Sequence, residues 1–460
     1  MTSNLTETDE LLKETTRRSI AYLHAVDERS VAPTEDALKN LESLVQDLPV
    51  HPTSPSKVLT LLDEYGSPAT VASNGRRYFG FVVGGTLPAA LAAHWIATSW
   101  NQVGAKMVMS PVAIKLEDIA IHWIKDLFGL PNESDGAFVS GATMANFTGL
   151  AAARHAVLDR VGWNVERDGL FGAPAITVVV GEEFHSSVGK AITMLGLGRD
   201  RVIKVPTDGE GRIRADSLPS VSGPTILCVQ AGNVNTGAFD PFPELVKWAR
   251  KYQAWVHVDG AFGLWATASP RFRHLTTGLT EADSWATDGH KWLNVPYDSG
   301  IILVRKPLHM VKAMGNPSAA YLHFDTSSDR FEFTPEQSRR ARGVDAWAAL
   351  LSLGQSGLIN LIETCSSNAY RFATLLREGG CMILNDVVLN QVLVSFGEDD
   401  LTRAVVKAVQ KEGTCWCGET VWKGKVAMRI SVSSAKTTQE DVDRSATSIL
   451  RIFKDLKRSE

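Results

Sequence analysis

From about residue 137 onward, short β-branched runs recur at 176–180, 202–205, 225–229, 255–258 and 301–304, with helical or turn-rich segments between them. The runs are apolar at nearly every position rather than at alternate ones, the pattern of strands covered on both faces. Such strands alternating with helices predict an α/β fold around a mostly parallel central sheet flanked by helices. Upstream, Leu11, Leu12, Ile20, Leu23 and Val26 fall at helical spacing, and Pro33, Pro49, Pro52 and Pro55 punctuate the next stretch of chain. Ile114, Ile119, Ile121, Ile124 and Leu127 predict a helix over 112–127 that ends before Gly129 and Pro131. Residues 345–377 read as a long amphipathic helix closed by Gly379 and Gly380. Two more β runs, 392–396 and 427–432, with helical patterns at 401–411 and 439–457, predict a smaller α+β unit. The expected organisation is an N-terminal helical arm (1–75), a large domain (76–345) and a small C-terminal domain (346–460).

Composition narrows the class. The chain has 460 residues, 47 Lys plus Arg against 51 Asp plus Glu, and a formal net charge of −4. Apolar residues make up 44 % and charged residues 21 %, which excludes a disordered or collagen-like chain. The near-neutral balance argues against nucleic-acid binding by phosphate neutralisation. No membrane span is expected. The most apolar stretch, residues 80–97, is interrupted by glycines, Thr86, Pro88 and His94, and falls short of the roughly 20 apolar residues a span needs. The polar, acidic N-terminus has no secretory layout. Cys228, Cys365, Cys381, Cys415 and Cys417 are odd in number and scattered, so no disulfide framework is expected. The Cys415-Trp416-Cys417 pair lacks a second ligand pair, so no metal site is expected. These readings suit a cytoplasmic protein. The 37 Gly suggest tight turns and close backbone approach to something small.

Four segments carry residues that could do chemistry. In SWATDGHKW (284–292), a short β run leads into Gly289, His290, Lys291 and Trp292. A lysine among apolar and aromatic neighbours is a candidate neutral amine, which condenses with an aldehyde. In WVHVDGAFG (255–263), an apolar strand runs into Asp259, which puts a carboxylate where open α/β sheets bind ligands. A buried carboxylate needs a cation, and a protonated heterocyclic nitrogen would serve. In VSGATMAN (139–146), a small-residue turn opens a helix, and free N–H groups with the hydroxyl of Thr143 suit a phosphate. In EFHSSVGK (183–190), His185 follows a strand and could stack on a flat ring or move a proton. Singly, each segment also reads as ordinary structure: a surface lysine, a turn-capping Asp, a helix start, an incidental His. Together they fall at the strand ends of one sheet, and they meet the needs of pyridoxal 5′-phosphate for an amine, a carboxylate, a planar neighbour and N–H donors.

At this point the sequence resembles the group II pyridoxal-phosphate-dependent decarboxylases, of the aspartate-aminotransferase fold (fold type I), from roughly residue 55 to the end. HVDGAFG (257–263) is similar to the family's HVDAAWGG, TDGHKW (287–292) to NPHKW, and SGATMAN (140–146) to SGGSEAN. EEFHSS (182–187) and NTGAFDP (235–241) resemble further family segments. The resemblance implies that Lys291 binds the cofactor's aldehyde and that Asp259 pairs with its ring nitrogen. His185 would stack on one ring face and Ala261 pack on the other. Ala142 and Thr143 would hold the phosphate with His290 nearby, and Thr236 would lie near the phenolic oxygen. Tyr321 falls where the family has a tyrosine that delivers a proton to Cα, and Arg429 at a family arginine. Phe79, Phe81 and Trp100 lie in stretches that resemble the family's pocket-forming segment, and Tyr297 falls near Lys291, with core or interface packing as the equal alternative. Met144, Gly260, Asp288-Gly289 and Gly232-Asn233-Val234 depart from the family's usual residues. The activity implied is decarboxylation of an L-amino acid, with an aromatic or apolar side chain, to the amine and CO₂. Alternatives on the same cofactor are carbon–carbon cleavage, decarboxylative aldehyde formation and transamination. A homodimer is implied, and a catalytically silent homologue is disfavoured by the intact Lys291, Asp259, His185 and Tyr321.

Overall fold

The computed structural model describes residues 5–315 and 329–458. An N-terminal helix, α1 (Leu5–Ala25), precedes α2 (Pro88–Trp100) and α3 (Pro111–Leu127), both opened by proline at the first helical position. Then come β1 (Asp135–Val139), α4 (Ala142–Asp159), β2 (Thr177–Gly181), α5 (Ser186–Met194), β3 (Ile203–Val205) and β4 (Thr225–Gln230). They are followed by α6 (Phe242–Lys251), β5 (Trp255–Asp259), β6 (Ser284–Asp288) and β7 (Gly300–Val304). The strands form one sheet in the order β1-β7-β6-β5-β4-β2-β3. β7 is antiparallel to both β1 and β6, and the other pairs are parallel. Six strands therefore share one direction and end along one edge.

Alternate residues of each strand enter different cores, as the two-residue period of a strand requires. In β4, Leu227 and Val229 join one apolar cluster while Ile226 and Cys228 join the other. In β7, Ile301 and Leu303 go one way and Ile302 and Val304 the other. The uninterrupted apolar runs are thus two half-faces interleaved. Strand β1 is not among the predicted runs, and β7 runs against the rest; with both faces buried, an apolar run carries no mark of direction.

The remaining chain builds α7 (Arg342–Glu378), β8 (Met382–Ile383), β9 (Gln391–Ser395), α8 (Asp399–Glu412), β10 (Gly418–Trp422), β11 (Lys425–Ser431) and α9 (Gln439–Arg458). Its sheet, β10-β11-β9-β8, is antiparallel throughout. α7 is broken at Gly354, whose φ of 58° lies in the left-handed region. One apolar cluster runs without interruption from Leu227 and Val258 of the large sheet to Val392, Ile430 and Ile449. The segment before α2 is stitched to the second sheet: Phe79 N–H donates to Trp416 O at 2.8 Å, and Ser431 N–H donates to Phe79 O at 2.9 Å. No helix among the described residues is long and apolar enough to cross a membrane.

Candidate active site

Because β1, β2, β5 and β6 end along the same edge, the turns after them converge. Asp259 is the last residue of β5 and is 4 % exposed. Its Oδ2 accepts from Asn146 Nδ2 at 3.2 Å and lies 3.5 Å from Ser187 Oγ; its Oδ1 accepts from Ala261 N–H at 3.3 Å. All three neighbouring groups are neutral, and Asp259 makes no ion pair among the described residues. His185 caps the N-terminus of α5, accepting at Nδ1 from Ser187 N–H at 3.2 Å with Ser187 Oγ at 2.7 Å. A backbone N–H can only donate, so the proton of the neutral imidazole sits on Nε2. Burial lowers the His185 pKa, with Asp259 opposing the shift and Lys291 and Arg429 adding to it.

The other half of the edge is built around Asp288, the last residue of β6. Its Oδ1 accepts from Ala142 N–H at 2.6 Å, at the first residue of α4, and its Oδ2 lies 2.9 Å from Lys291 Nζ. Lys291 therefore meets a carboxylate, not only the apolar and aromatic neighbours its sequence context suggests. The reason is local: the chain turns sharply after Asp288 and brings residue 291 back over it. His290 Nδ1 accepts from Ser299 N–H at 3.0 Å, which leaves Nε2 facing Asp288 Oδ1 at 3.6 Å. Burial lowers the His290 pKa. Tyr297 stacks on the His290 ring, centroids 4.3 Å apart. Two glycines permit this packing. A Cβ on Gly300 would lie 2.4 Å from the Gly141 backbone, and one on Gly84 would collide with Lys291 O.

The remaining candidates are spread more widely. Ala142 is buried and Thr143 half-buried in the first turn of α4. Ala261 is half-buried in the turn after Asp259. Thr236 is buried, and its hydroxyl is engaged within its own region, donating to Glu210 O at 2.7 Å and accepting from Ala238 N–H at 3.2 Å. Arg429 is half-buried on β11; its Nη1 reaches Asn235 Oδ1 at 3.4 Å, and it makes no ion pair among the described residues. Burial lowers its pKa. Phe79 is 1 % exposed and meets Phe372 edge-on in the core. Phe81, 60 % exposed, lies 5.4 Å from the Trp416 ring. Trp100 is exposed at the end of α2. Tyr321 lies outside the described residues.

Sequence reasoning assigned nothing to Asn146, Ser187, His257 or Asn294, all of which are buried. Asn294 binds three distant segments together. Its Oδ1 accepts from Gly85 and Ala435 N–H, each at 2.9 Å, and its Nδ2 donates to Ser433 O at 2.9 Å and to Lys291 O at 3.2 Å. Asn146 stands in the SGATMAN turn motif, but its partners Asp259 and His257 are more than 100 residues away.

The geometry gathers an amine, two carboxylates and two imidazoles at one edge of an α/β sheet. The family model for the pyridoxal-dependent decarboxylase conserved domain matches residues 49–397, and the chain belongs to that family. An aromatic-L-amino-acid decarboxylase of Bacillus atrophaeus is 24 % identical over 445 residues, 92 % of this chain and 90 % of the relative. An acidic amino acid decarboxylase of Mus musculus is 26 % identical over 405 residues, 81 % of this chain and 73 % of the relative. The crystal structure of Oryza sativa TDC with PLP and tryptamine matches with a TM-score of 0.90 at 22 % identity, over 99 % of both chains. The chain is accordingly a pyridoxal-phosphate-dependent amino-acid decarboxylase, a carboxy-lyase. The donor set fits that cofactor: one amine, one buried carboxylate without a cation, an imidazole beside it, and a helix N-terminus for an anion.

Proposed function

We propose that this enzyme removes the α-carboxylate of an L-amino acid with an aromatic or apolar side chain, releasing CO₂ and the amine. The observation that carries the assignment of roles is Asp259, a buried carboxylate whose only donors are neutral, on the same sheet edge as Lys291. In this reading Lys291 holds the cofactor's aldehyde carbon, and Asp259 retains a proton on the ring nitrogen. His185 and Ala261 pack against the ring, and the α4 N-terminus at Ala142 and Thr143 receives the phosphate beside His290. Thr236 borders the phenolic oxygen from the neighbouring turn. The bound cofactor supplies the electron sink for the charge left when CO₂ departs.

Arg429, a cation without an anionic partner among the described residues, binds the substrate's carboxylate. Lys291 Nζ takes up a proton when the substrate amine displaces it and gives one up, with Asp288 Oδ2 2.9 Å away, when it acts as the nucleophile that releases the product. Tyr321 delivers the proton to Cα. Phe81, Tyr297 and Trp100 offer aromatic surface for the side chain, and Phe79 backs it from the core. Residues 1–75 form an arm, 76–345 hold the cofactor, and 346–460 supply Arg429. The exposed Trp95, Ile96, Trp100, Val108 and Met109 around α2 support a homodimer, because so much neighbouring apolar surface calls for cover. Five unpaired, buried cysteines support a cytoplasmic location.

The test is a screen of the purified, cofactor-loaded protein against aromatic, aliphatic and acidic L-amino acids, with CO₂ and product mass measured. Amine and CO₂ in equal amounts from an aromatic or aliphatic substrate is the expected result. Turnover of acidic substrates alone overturns the substrate class. An unchanged visible cofactor band in Lys291→Ala overturns the role of the lysine.

A further inference from the structure

Behind Asp259 lies a chain of hydrogen bonds whose direction is set at the carboxylate end. It begins at Trp255 Nε1, which can only donate, 2.8 Å from Ser284 Oγ. Because Asn146 turns its carbonyl oxygen to His257 Nε2, Nδ1 is the accepting nitrogen, and the Ser284 hydroxyl donates to it at 2.8 Å. His257 then carries its proton on Nε2 and donates to Asn146 Oδ1 at 2.9 Å. Both hydrogens of Asn146 Nδ2 remain, one for Asp259 Oδ2 at 3.2 Å and one for Ser187 Oγ at 3.1 Å. Ser187 in turn meets His185 Nδ1 at 2.7 Å. The reverse direction would turn the Asn146 carbonyl toward a carboxylate. Ser284, His257 and Asn146 are fully buried, so water cannot replace any link. Helix α4 presses on the chain: a Cβ on Gly149 would come 2.7 Å from His257 Cε1. Burial pushes the His257 pKa down to about 3, so the imidazole stays a neutral conduit.

We propose that Trp255, Ser284, His257 and Asn146 are positioning residues for the cofactor, acting through Asp259 and His185. One branch holds the Asp259 carboxylate as an acceptor aimed at the ring nitrogen, and the other holds His185 with its proton on Nε2. The inference rests on the proposed cofactor roles of Asp259 and His185. Asp259 interacts electrostatically with Cys228 on β4 and with His185, and His185 also with Lys291, Asp288 and Arg429. The chain is the part of this surrounding that adds donors without adding charge.

The experiment uses the full-length protein and pyridoxal 5′-phosphate, and reads the cofactor's dissociation constant and the pH at which its bound absorbance titrates. His257→Leu is expected to weaken binding about tenfold, the cost of one lost buried hydrogen bond, and to move the titration by about one pH unit. His257→Gln, whose amide can accept from Ser284 and donate to Asn146, is expected to restore both to within about threefold of the unaltered protein. A His257→Leu protein with unaltered affinity and titration overturns the proposal. So does an equal loss in His257→Gln, which would mark a packing role. If His257→Leu does not fold, Ser284→Ala decides, and an unchanged titration there overturns the proposal. Failure of the cofactor roles themselves looks different: Asp259→Asn would leave both the affinity and the titration unaltered.

Discussion

Strands β5 and β6 are neighbours, and each ends in an aspartate, yet the two carboxylates are held in opposite ways. Asp259 receives an amide, a hydroxyl contact and a backbone N–H. Asp288 receives a backbone N–H and the Lys291 ammonium. Neutral donors satisfy the oxygen lone pairs but leave the negative charge uncancelled, whereas a lysine cancels it. Burying an unpaired charge is costly, and in the proposed function the charge at β5 is kept for the cofactor's protonated ring nitrogen. At β6 the charge is already matched by the chain's own lysine. Residue type and position along the sheet edge are the same; what separates the two roles is whether the hydrogen-bond partners carry charge.

Substitutions at the two positions break this comparison most directly. Asp259→Asn removes the reserved charge and keeps the shape, and decarboxylation should fall by on the order of 10²- to 10³-fold; a kcat within a few-fold of the unaltered enzyme would contradict the role drawn for β5. Arg429→Met removes the other uncancelled charge. It should raise KM for the amino acid about tenfold, the loss of one charge-assisted hydrogen bond, while the cofactor band stays as it was. Asp288→Asn should act in the opposite sense from Asp259→Asn. It retains an acceptor for Ala142 N–H but withdraws the anion that competes with a phosphate at the α4 N-terminus, so the cofactor should bind a few-fold tighter. Weaker binding, measured by absorbance titration, would show that Asp288 supports the cofactor by its charge.

The smallest effect concerns stability against pH. Burial lowers His257 from 6.5 to about 3 and also lowers His185 and His290. A base whose folded pKa lies below its unfolded value takes up a proton on unfolding, so stability falls as pH drops from about 6.5 toward 3. For His257 the slope is up to about 1.4 kcal/mol per pH unit. Denaturant titrations of the cofactor-free protein should show a shallower slope in His257→Gln than in the unaltered chain.

Much of this molecule is legible in its sequence, and the parts that are not share a cause. The apolar runs at 225–229, 255–258 and 301–304 correspond to β4, β5 and β7, and the periodic segments at 112–127 and 439–457 to α3 and α9. Of the strands, those that escaped were β1, a five-residue strand containing Gly136, the two-residue β8, and β10, whose residues 419–421 face outward or half outward at the sheet's edge. Strand direction escaped as well, since a run buried on both faces looks the same in either sense. At the site, Lys291, Asp259 and His185 stand at strand ends and could be read from local pattern. Asn146 and His257 could not be joined that way, because their bond spans 111 positions and an asparagine in a helix or a histidine in a strand carries no sign of its partner. The ion pair of Asp288 with Lys291 spans only three positions, but it depends on a turn that no apolar periodicity encodes.

The cross-link at Asn294 bears on when during its own biogenesis this enzyme becomes competent. The loop that carries Lys291 is clasped through Asn294 by Gly85, 209 positions earlier, and by Ser433 and Ala435, 139 and 141 positions later. Closing contacts over such distances is slow, and a ribosome must release nearly the whole chain before the last of them can form. A nascent chain stalled before residue 433 could fold its large sheet and still lack the clasp on the lysine loop.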